Sequence, residues 1–479
     1  MHQQPIRQMS DAAQVRGLFK PAVYARRRQQ LKQRFSSGLL LLPGNTDVSM
    51  NYLHNHYWFR QDSSFSYFFG LNQPDLAALI DIEAGSETLF GDDPSLDDVI
   101  WVGPQSSFAQ RAETVGISAV QPHKQLAEVL AEARRQGRTI HYLPPYRGET
   151  ILELASLLDC TPEQCKSGAS ESLMAAVIAL REIKGDEEIA EIENALSVTR
   201  DMHVAAMRQA KADTYEYQVV AAMEGIMRSH DLQNAYPMIF SRSGEILHNR
   251  DHKNRLQAGD LVVNDSGASS VLGYASDITR TFPVGGRFSE RQRGLYEIVL
   301  AAQQLAIGAM RPGISYLEIH KRAAAHMVAA MSGLGFFNGT PEQVVESGAY
   351  AICFPHGLGH QMGLDVHDME GLGETRVGYD ASVSRSELFG LRNLRLAKPL
   401  QAGMVVTVEP GIYFIPALIQ RWQAEARHSA LINYDKFVEH MDFGGIRIED
   451  DVLVTEAGAR VLGPAIPKTC AEIEALMAA

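Results

Sequence analysis

The segment Leu256-Gln257-Ala258-Gly259-Asp260-Leu261-Val262-Val263-Asn264-Asp265-Ser266-Gly267 recurs 144 residues later as Leu400-Gln401-Ala402-Gly403-Met404-Val405-Val406-Thr407-Val408-Glu409-Pro410-Gly411. Each copy reads as an Ala-Gly turn, a β-branched run of strand length and a breaker, with an acid, Asp265 or Glu409, at the same offset. A duplicated turn-strand-acid unit constrains the chain to a fold with two equivalent halves. A buried carboxylate without a partner is costly. Two such acids, one from each half, therefore suit a shared cation that offsets their desolvation, although either acid taken alone reads more simply as a hairpin residue.

At 479 residues the chain exceeds one average domain, and two domains are expected. Hydrophobic content of 45% with 21% charged residues is that of a globular protein. No run approaches the roughly 18 apolar residues of a membrane span. Met1 to Gly17 has no apolar core, so no secretory signal is expected and the cytoplasm is the default location. Cys160, Cys165, Cys353 and Cys470 are too few and scattered for a disulfide framework and read as reduced structural thiols. With 57 acids against 44 bases, a net charge of −13 disfavours nucleic acid as a partner. The basic run Arg26-Arg27-Arg28 reads as a solvated helix face.

The first third alternates strands and helices in an α/β layout. Strands are expected at Leu39 to Leu42, Ala77 to Ile82, Thr88 to Phe90 and Thr139 to Leu143, with a helix over Lys124 to Gln136. Pro144-Pro145 and the polar stretch Thr161 to Ser170 place a domain break near residue 165, giving domains 1–165 and 166–479. In the second, Asp186-Glu187-Glu188 opens a helix and another follows from Thr214. Ser289-Glu290-Arg291-Gln292 is a capping box, and Ser315-Tyr316-Leu317-Glu318 opens the next helix the same way. Helix, helix, acidic strand thus occurs twice, predicting internal twofold symmetry with the site between the halves.

Gly273 to Phe282 reads as the hairpin partner of the first acidic strand and returns Asp277 towards Asp265; Gly444 to Val454 reads as another strand, carrying Glu449. Four acids in two equivalent hairpins point to metal. The run His356-Gly357-Leu358-Gly359-His360-Gln361-Met362-Gly363-Leu364-Asp365-Val366-His367-Asp368 has two histidines four apart, as in helical zinc proteases. No Glu follows His356, however, and the glycines disfavour a helix. These histidines suit one ligand and one or two groups for a reacting amide; His248 and His252 are weaker candidates. Four carboxylates and one imidazole favour Mn²⁺, with Co²⁺, Fe²⁺ or Zn²⁺ possible, and charge balance supports two divalent ions.

At these residues the chain strongly resembles the pita-bread metallopeptidases, the group of methionine aminopeptidase, aminopeptidase P and prolidase, with five dispersed motifs matching in order. The resemblance implies an α+β protein: a C-terminal pita-bread (creatinase/aminopeptidase-like) domain with internal pseudo-twofold symmetry, preceded by an α/β N-terminal domain. It implies Asp265, Asp277, His360, Glu409 and Glu449 as metal ligands, with Asp277 and Glu449 bridging and Glu409 also shuttling the proton. His248 and His367 would contact substrate and stabilise the tetrahedral intermediate, with His356, Tyr413 and Arg447 close by in substrate binding. Phe59-Arg60-Gln61-Asp62-Ser63-Ser64-Phe65-Ser66-Tyr67-Phe68-Phe69-Gly70 resembles the aminopeptidase P amino-terminal domain, which methionine aminopeptidase lacks. The implied activity is cleavage between an N-terminal residue and proline, in a homodimer. One departure is the spacing from Asp265 to Asp277, twelve where the family has eleven; an extra residue in the loop Ala268 to Gly273 would leave strand pairing intact.

Within that activity, Arg395 matches the prolidase arginine that holds a dipeptide's free carboxylate. Phe414 to Phe443 resembles the prolidase insertion. Both lean towards a dipeptidase over an aminopeptidase P acting on longer peptides. The same scaffold also serves catalytically silent peptide-binding proteins and a metal-free creatine-degrading enzyme, but either would be expected to have lost ligands that are present here.

Overall fold

The computed structural model describes residues 17–478, so the stretch read for a secretory leader lies, apart from Gly17, outside the described residues. The chain divides into two compact units, one ending at Leu180 and the other beginning at Arg181. That division falls fifteen residues beyond position 165. The polar stretch Thr161 to Ser170 is not an open linker, because Thr161 caps a short helix, Pro162–Ser167, and a further helix, Glu171–Arg181, follows.

The first unit is built on a five-stranded sheet in the order Val120–Gln121, Ser86–Phe90, Ala77–Asp81, Leu39–Pro43, Ile140–His141. Its centre is antiparallel and both edge pairings are parallel. Leu39, Leu41, Ala77, Leu79 and Phe90 pack against Leu126, Leu130 and Ala133 of the helix Leu126–Arg135. In the motif Phe59 to Gly70, Asp62 accepts from Phe65 N–H and caps the helix Ser63–Phe69. Arg26 is exposed as expected, but the rest of the basic run is not a solvated face, for Arg27 and Arg28 are only 2% and 1% exposed. Arg27 donates to the Tyr67 carbonyl and lies 4.0 Å over the Tyr67 ring, while Arg28 donates to the Phe68 and Val115 carbonyls and pairs with Glu87. Two guanidinium forks thus take up carbonyls that a helix end leaves unpaired, which solvated arginines would not do.

In the second unit the expected duplication is visible in the helices. Asp186–Gln209 and Glu216–Ser229 precede the strand Leu261–Asp265; Glu290–Ala309 and Tyr316–Gly333 precede the strand Val405–Val408. Equivalent bridges, Tyr215 to Arg255 and Ser315 to Pro399, tie the start of each second helix to the turn before each acidic strand. Ser289 forms its capping box with Gln292. Ser315 does not cap through its side chain: its hydroxyl donates to the Ala397 carbonyl instead, at 2.7 Å.

Leu261–Asp265 pairs with Thr279–Pro283 and Ile239–Ser241 in one sheet, and Val405–Val408 pairs with Asp450–Thr455 in another. Both acidic strands are buried along their whole length, which explains their near-continuous apolar runs. The expected strand over Gly444 to Val454 is two strands. Gly445–Arg447 pairs with Gly411–Tyr413, Asp450–Thr455 pairs with Val405–Val408, and Glu449 sits where the chain changes partner. The hairpin return is likewise shorter than Gly273 to Phe282, beginning at Thr279 with Asp277 ahead of it. Its register is unbroken from Thr279 opposite Asp265 to Pro283 opposite Leu261. The longer spacing is therefore absorbed outside the ladder, where Ser270 to Tyr274 forms a turn closed by Gly273 N–H on the Ser270 carbonyl.

Candidate metal centre

The partner strands of the two acidic strands meet at an isolated bridge between Thr279 and Glu449. Each places its acid at a strand end, and each partner strand places a second acid just before its own start. The fifth group comes from the histidine-rich run, which is not helical, in keeping with its glycines. Glu409 N–H donates to the Leu358 carbonyl and Thr407 N–H to that of His360, so the run lies along the second acidic strand. A Cβ at Gly359 would stand 2.0 Å from the Thr407 carbonyl oxygen, so only glycine permits this approach.

Asp277, His360 and Glu449 each offer a ligand atom, and these atoms lie within 4.8 Å of one another. Glu409 adjoins them, its Oε1 3.7 Å from His360 Nε2, which is itself 3.4 Å from Asp277 Oδ2. Asp265 joins through Tyr236, whose hydroxyl donates to Asp265 Oδ1 and Asp277 Oδ1. Its Oδ2 pairs with Arg447 Nη2 at 2.6 Å. Thr279 donates to Glu449 Oε2, and Asp451 accepts from the Asp277 backbone N–H.

These groups line a cavity of about 920 Å³, together with His248, His356, His367, Arg395 and Arg447. Tyr413 lies beneath the wall, its hydroxyl bonded to His356 Nε2 at 2.8 Å and to Arg447 Nη1 at 2.9 Å. His252 is not brought to this cavity; its Nε2 meets the Met238 carbonyl. From the stretch Phe414 to Phe443, Ile415, Ala417, Leu418 and Arg421 form part of the rim. Arg395 is engaged by Glu370 and Glu374, and His367 Nδ1 meets Glu370 Oε2 at 3.0 Å. Tyr236, Glu370 and Asp451 escaped the sequence reading because none falls at an offset shared by the two halves.

Burial dominates the electrostatics. It raises Asp265 above the usual carboxylate range, pushes Glu409 up to about 7, and together with the neighbouring acids raises Glu449 well above its ordinary value. Burial alone would lower His360, but Asp277 and Glu409 hold it up to about 9. Burial lowers His356 to about 3 and His367 to about 4, and lowers His248 with help from Arg447. Mutually repelling buried carboxylates around an imidazole are the donor set a hard divalent ion neutralises.

A pH dependence follows for the metal-free protein. Groups whose pKa is raised on folding stabilise fully below their unfolded values, and that contribution fades as pH rises through the folded ones. The buried histidines with lowered pKa act in the opposite sense up to their unfolded value, so the thermal midpoint in chelator is expected to fall between about pH 6.5 and 9. Added divalent ion should flatten that slope. A metal-free midpoint that climbs across this window would contradict the burial of these acids.

Residues 190–456 match the family model for metallopeptidase family M24, and residues 24–141 match that for the aminopeptidase P N-terminal domain. The Homo sapiens Xaa-Pro dipeptidase is 29% identical over 482 residues, covering 95% of this chain and 93% of that protein. The Xaa-Pro aminopeptidase of Escherichia coli (strain K12) is equally similar, 29% over 472 residues, covering 95% and 97%. Among solved structures, zinc-substituted E. coli aminopeptidase P in complex with product matches with a TM-score of 0.78 at 28% identity, over 96% of this chain and 98% of that one. Because the catalytic family model spans more than half of the sequence and the solved relative shares the fold over nearly all of it, this chain belongs to metallopeptidase family M24, with the pita-bread fold.

Proposed function

We propose that the protein hydrolyses the bond between an N-terminal residue and proline, using two divalent ions, Mn²⁺ first among them, held by Asp265, Asp277, His360, Glu409 and Glu449. The observation that carries this reading is the convergence of Asp277, His360 and Glu449 ligand atoms within 4.8 Å in a cavity large enough for a peptide. When bound, such ions would polarise the scissile carbonyl and bring a water's pKa close to neutrality. Glu409, whose Oε1 lies 3.7 Å from His360 Nε2 at the edge of the cluster, would serve as the general base that takes the water's proton and returns it to the proline nitrogen. His248 and His367 line the cavity where substrate would lie, and Arg447, fixed by Asp265 and Tyr413, holds its charge beside them. A cytoplasmic location and a homodimer belong to the same proposal; among the described residues no helix is long and apolar enough to cross a membrane.

We favour dipeptides as substrate. Arg395 lines the cavity with 36% of its side chain exposed, and the Phe414 to Phe443 stretch closes part of the rim, as a site for short substrates requires. The aminopeptidase P reading draws on a specific observation too: Arg395 is already paired with Glu370 and Glu374. Comparing an Xaa-Pro dipeptide with an Xaa-Pro-Yaa tripeptide under Mn²⁺ separates the two. Arg395→Ala is expected to weaken hydrolysis of the free-acid dipeptide by about 1.5–3 kcal/mol, the range for a charged hydrogen bond, and to spare the C-terminal amide. Equal losses on acid and amide, with tripeptides cleaved as well as dipeptides, would favour aminopeptidase P. Purified protein without divalent metal would favour a silent peptide-binding role on the same scaffold.

A further inference from the structure

Glu370 follows His367 by three residues and does not line the cavity, yet one of its oxygens serves two groups that do. Oε2 accepts from His367 Nδ1 at 3.0 Å and from Arg395 Nη1. An ionised carboxylate only accepts, so Nδ1 carries the ring proton and Nε2 is left as a bare lone pair. The turn that brings Glu370 back is closed by its own N–H on the His367 carbonyl and places buried Met369 at φ +63°. A non-glycine residue held in the left-handed region is strain that persists only where the surroundings enforce it, and such strain clusters at functional sites. Beyond Arg395, Glu374 takes the same guanidinium at 3.3 Å and pairs with Arg385.

We propose that Glu370 is a positioning residue joining the two ends of the peptide site: it fixes the tautomer and orientation of His367 and, through the same oxygen, sets how tightly Arg395 holds a substrate's free carboxylate. The proposal rests on the Xaa-Pro reading above. Its two parts separate chemically. A neutral acceptor at position 370 still receives the Nδ1 proton but no longer neutralises Arg395; a methyl group does neither. An incoming carboxylate now meets a guanidinium already flanked by two acids, so removing one acid should strengthen its hold.

The test combines two variants with two substrates. Glu370→Gln is expected to lower KM for a free-acid Xaa-Pro dipeptide about fivefold, to move KM for its amide much less, and to cost about threefold in kcat. Glu370→Ala should lose about 10- to 100-fold in kcat on both substrates, the usual cost of removing a histidine's orienting partner. On a His367→Ala background the same change should cost little more, because the two residues act as a unit. A readout independent of turnover is ¹⁵N-histidine NMR of the metal-free protein. The His367 signals, assigned by their loss in His367→Ala, should report the Nδ1–H tautomer in wild type and Glu370→Gln, and a mixture in Glu370→Ala. Losses that add in full on the His367→Ala background, acid and amide KM values that shift together, or an unchanged tautomer in Glu370→Ala would each overturn the proposal. Wild-type protein that cleaves neither peptide while keeping the Nδ1–H tautomer would sink the substrate reading and leave the orientation of His367 by Glu370 standing.

Discussion

Glu449→Gln is expected to leave the protein folded, unable to retain its metals, and inactive. Glu449 is buried where the two halves meet, and Thr279 Oγ1 donates to its Oε2 at 2.7 Å. Burial and the charges of Asp277, Glu409 and Asp265 raise its pKa well above the ordinary value, which favours the neutral form when no metal is bound. Glutamine copies that neutral form in shape and hydrogen bonding, and metal-free stability should change by no more than about 1 kcal/mol. Metal binding requires the anion. The variant should therefore lose the ligand-induced rise in stability, about 4 kcal/mol for a wild type saturated at a thousand times its Kd. If bound metal supplies several kcal/mol of transition-state stabilisation, the loss in turnover is at least about 10³-fold. Metal analysis, melting curves with and without chelator, and Xaa-Pro turnover give the three readouts. Two ions retained with activity within tenfold of wild type would remove Glu449 from the proposed ligand set.

The largest stability effect is expected at Asp368, one residue beyond His367. Its carboxylate takes Arg181 Nη2 at 2.6 Å and Lys184 Nζ at 3.0 Å, and Lys184 is only 1% exposed. Burial works against ionisation of Asp368, but Lys184 and Arg181 outweigh it and lower its pKa. Asp368→Ala would strand the Lys184 ammonium inside the protein without its carboxylate, at about 3–5 kcal/mol, or roughly 5–8 °C in melting temperature for a unit of this size. Pairing Asp368→Leu with Lys184→Met should recover the Lys184 part of that loss, because a buried pair replaced by apolar groups is often near neutral, while Arg181 keeps Asp365 at 3.2 Å. The sign with pH is fixed as well. An acid with a lowered folded pKa stabilises above its unfolded value and loses that contribution as pH falls through the folded one. The gap between wild type and Asp368→Ala should thus be full at neutral pH and close below about pH 4. An Asp368→Ala melt within about 2 °C of wild type at pH 7 would mean that Lys184 reaches water or another acid without rearrangement.

Much of the fold was legible because it is written twice. The repeated turn-strand-acid segment and the repeated helix pairs are local patterns of period 2 and 3.6, and burial of the apolar face enforces each within its own stretch of chain. The helices Asp186–Gln209 and Glu290–Ala309 begin where their acidic first turn and capping box place them. That the histidine run is not helical was equally readable, since Gly357 and Gly359 disfavour a helix on propensity alone.

What the sequence left open is where separate segments choose partners. Nothing in the alternating run around Glu449 marks the point at which Gly445–Arg447 pairs with one strand and Asp450–Thr455 with another. Arg27 and Arg28 look like surface charge until the carbonyls of Tyr67, Phe68 and Val115 arrive from elsewhere in the first unit. Tyr236 becomes part of the candidate metal centre only because its hydroxyl lies between Asp265 and Asp277, and Glu370 reaches Arg395 from 25 residues away only across the folded cavity wall. The sequence by itself determined which acids end the repeated strands, where helices start and where glycine disfavours a helix, because those follow from spacing along the backbone. Only the tertiary structure decided which buried charges meet, because an ion pair or a shared oxygen depends on distance in space, and its strength on the water that burial removes.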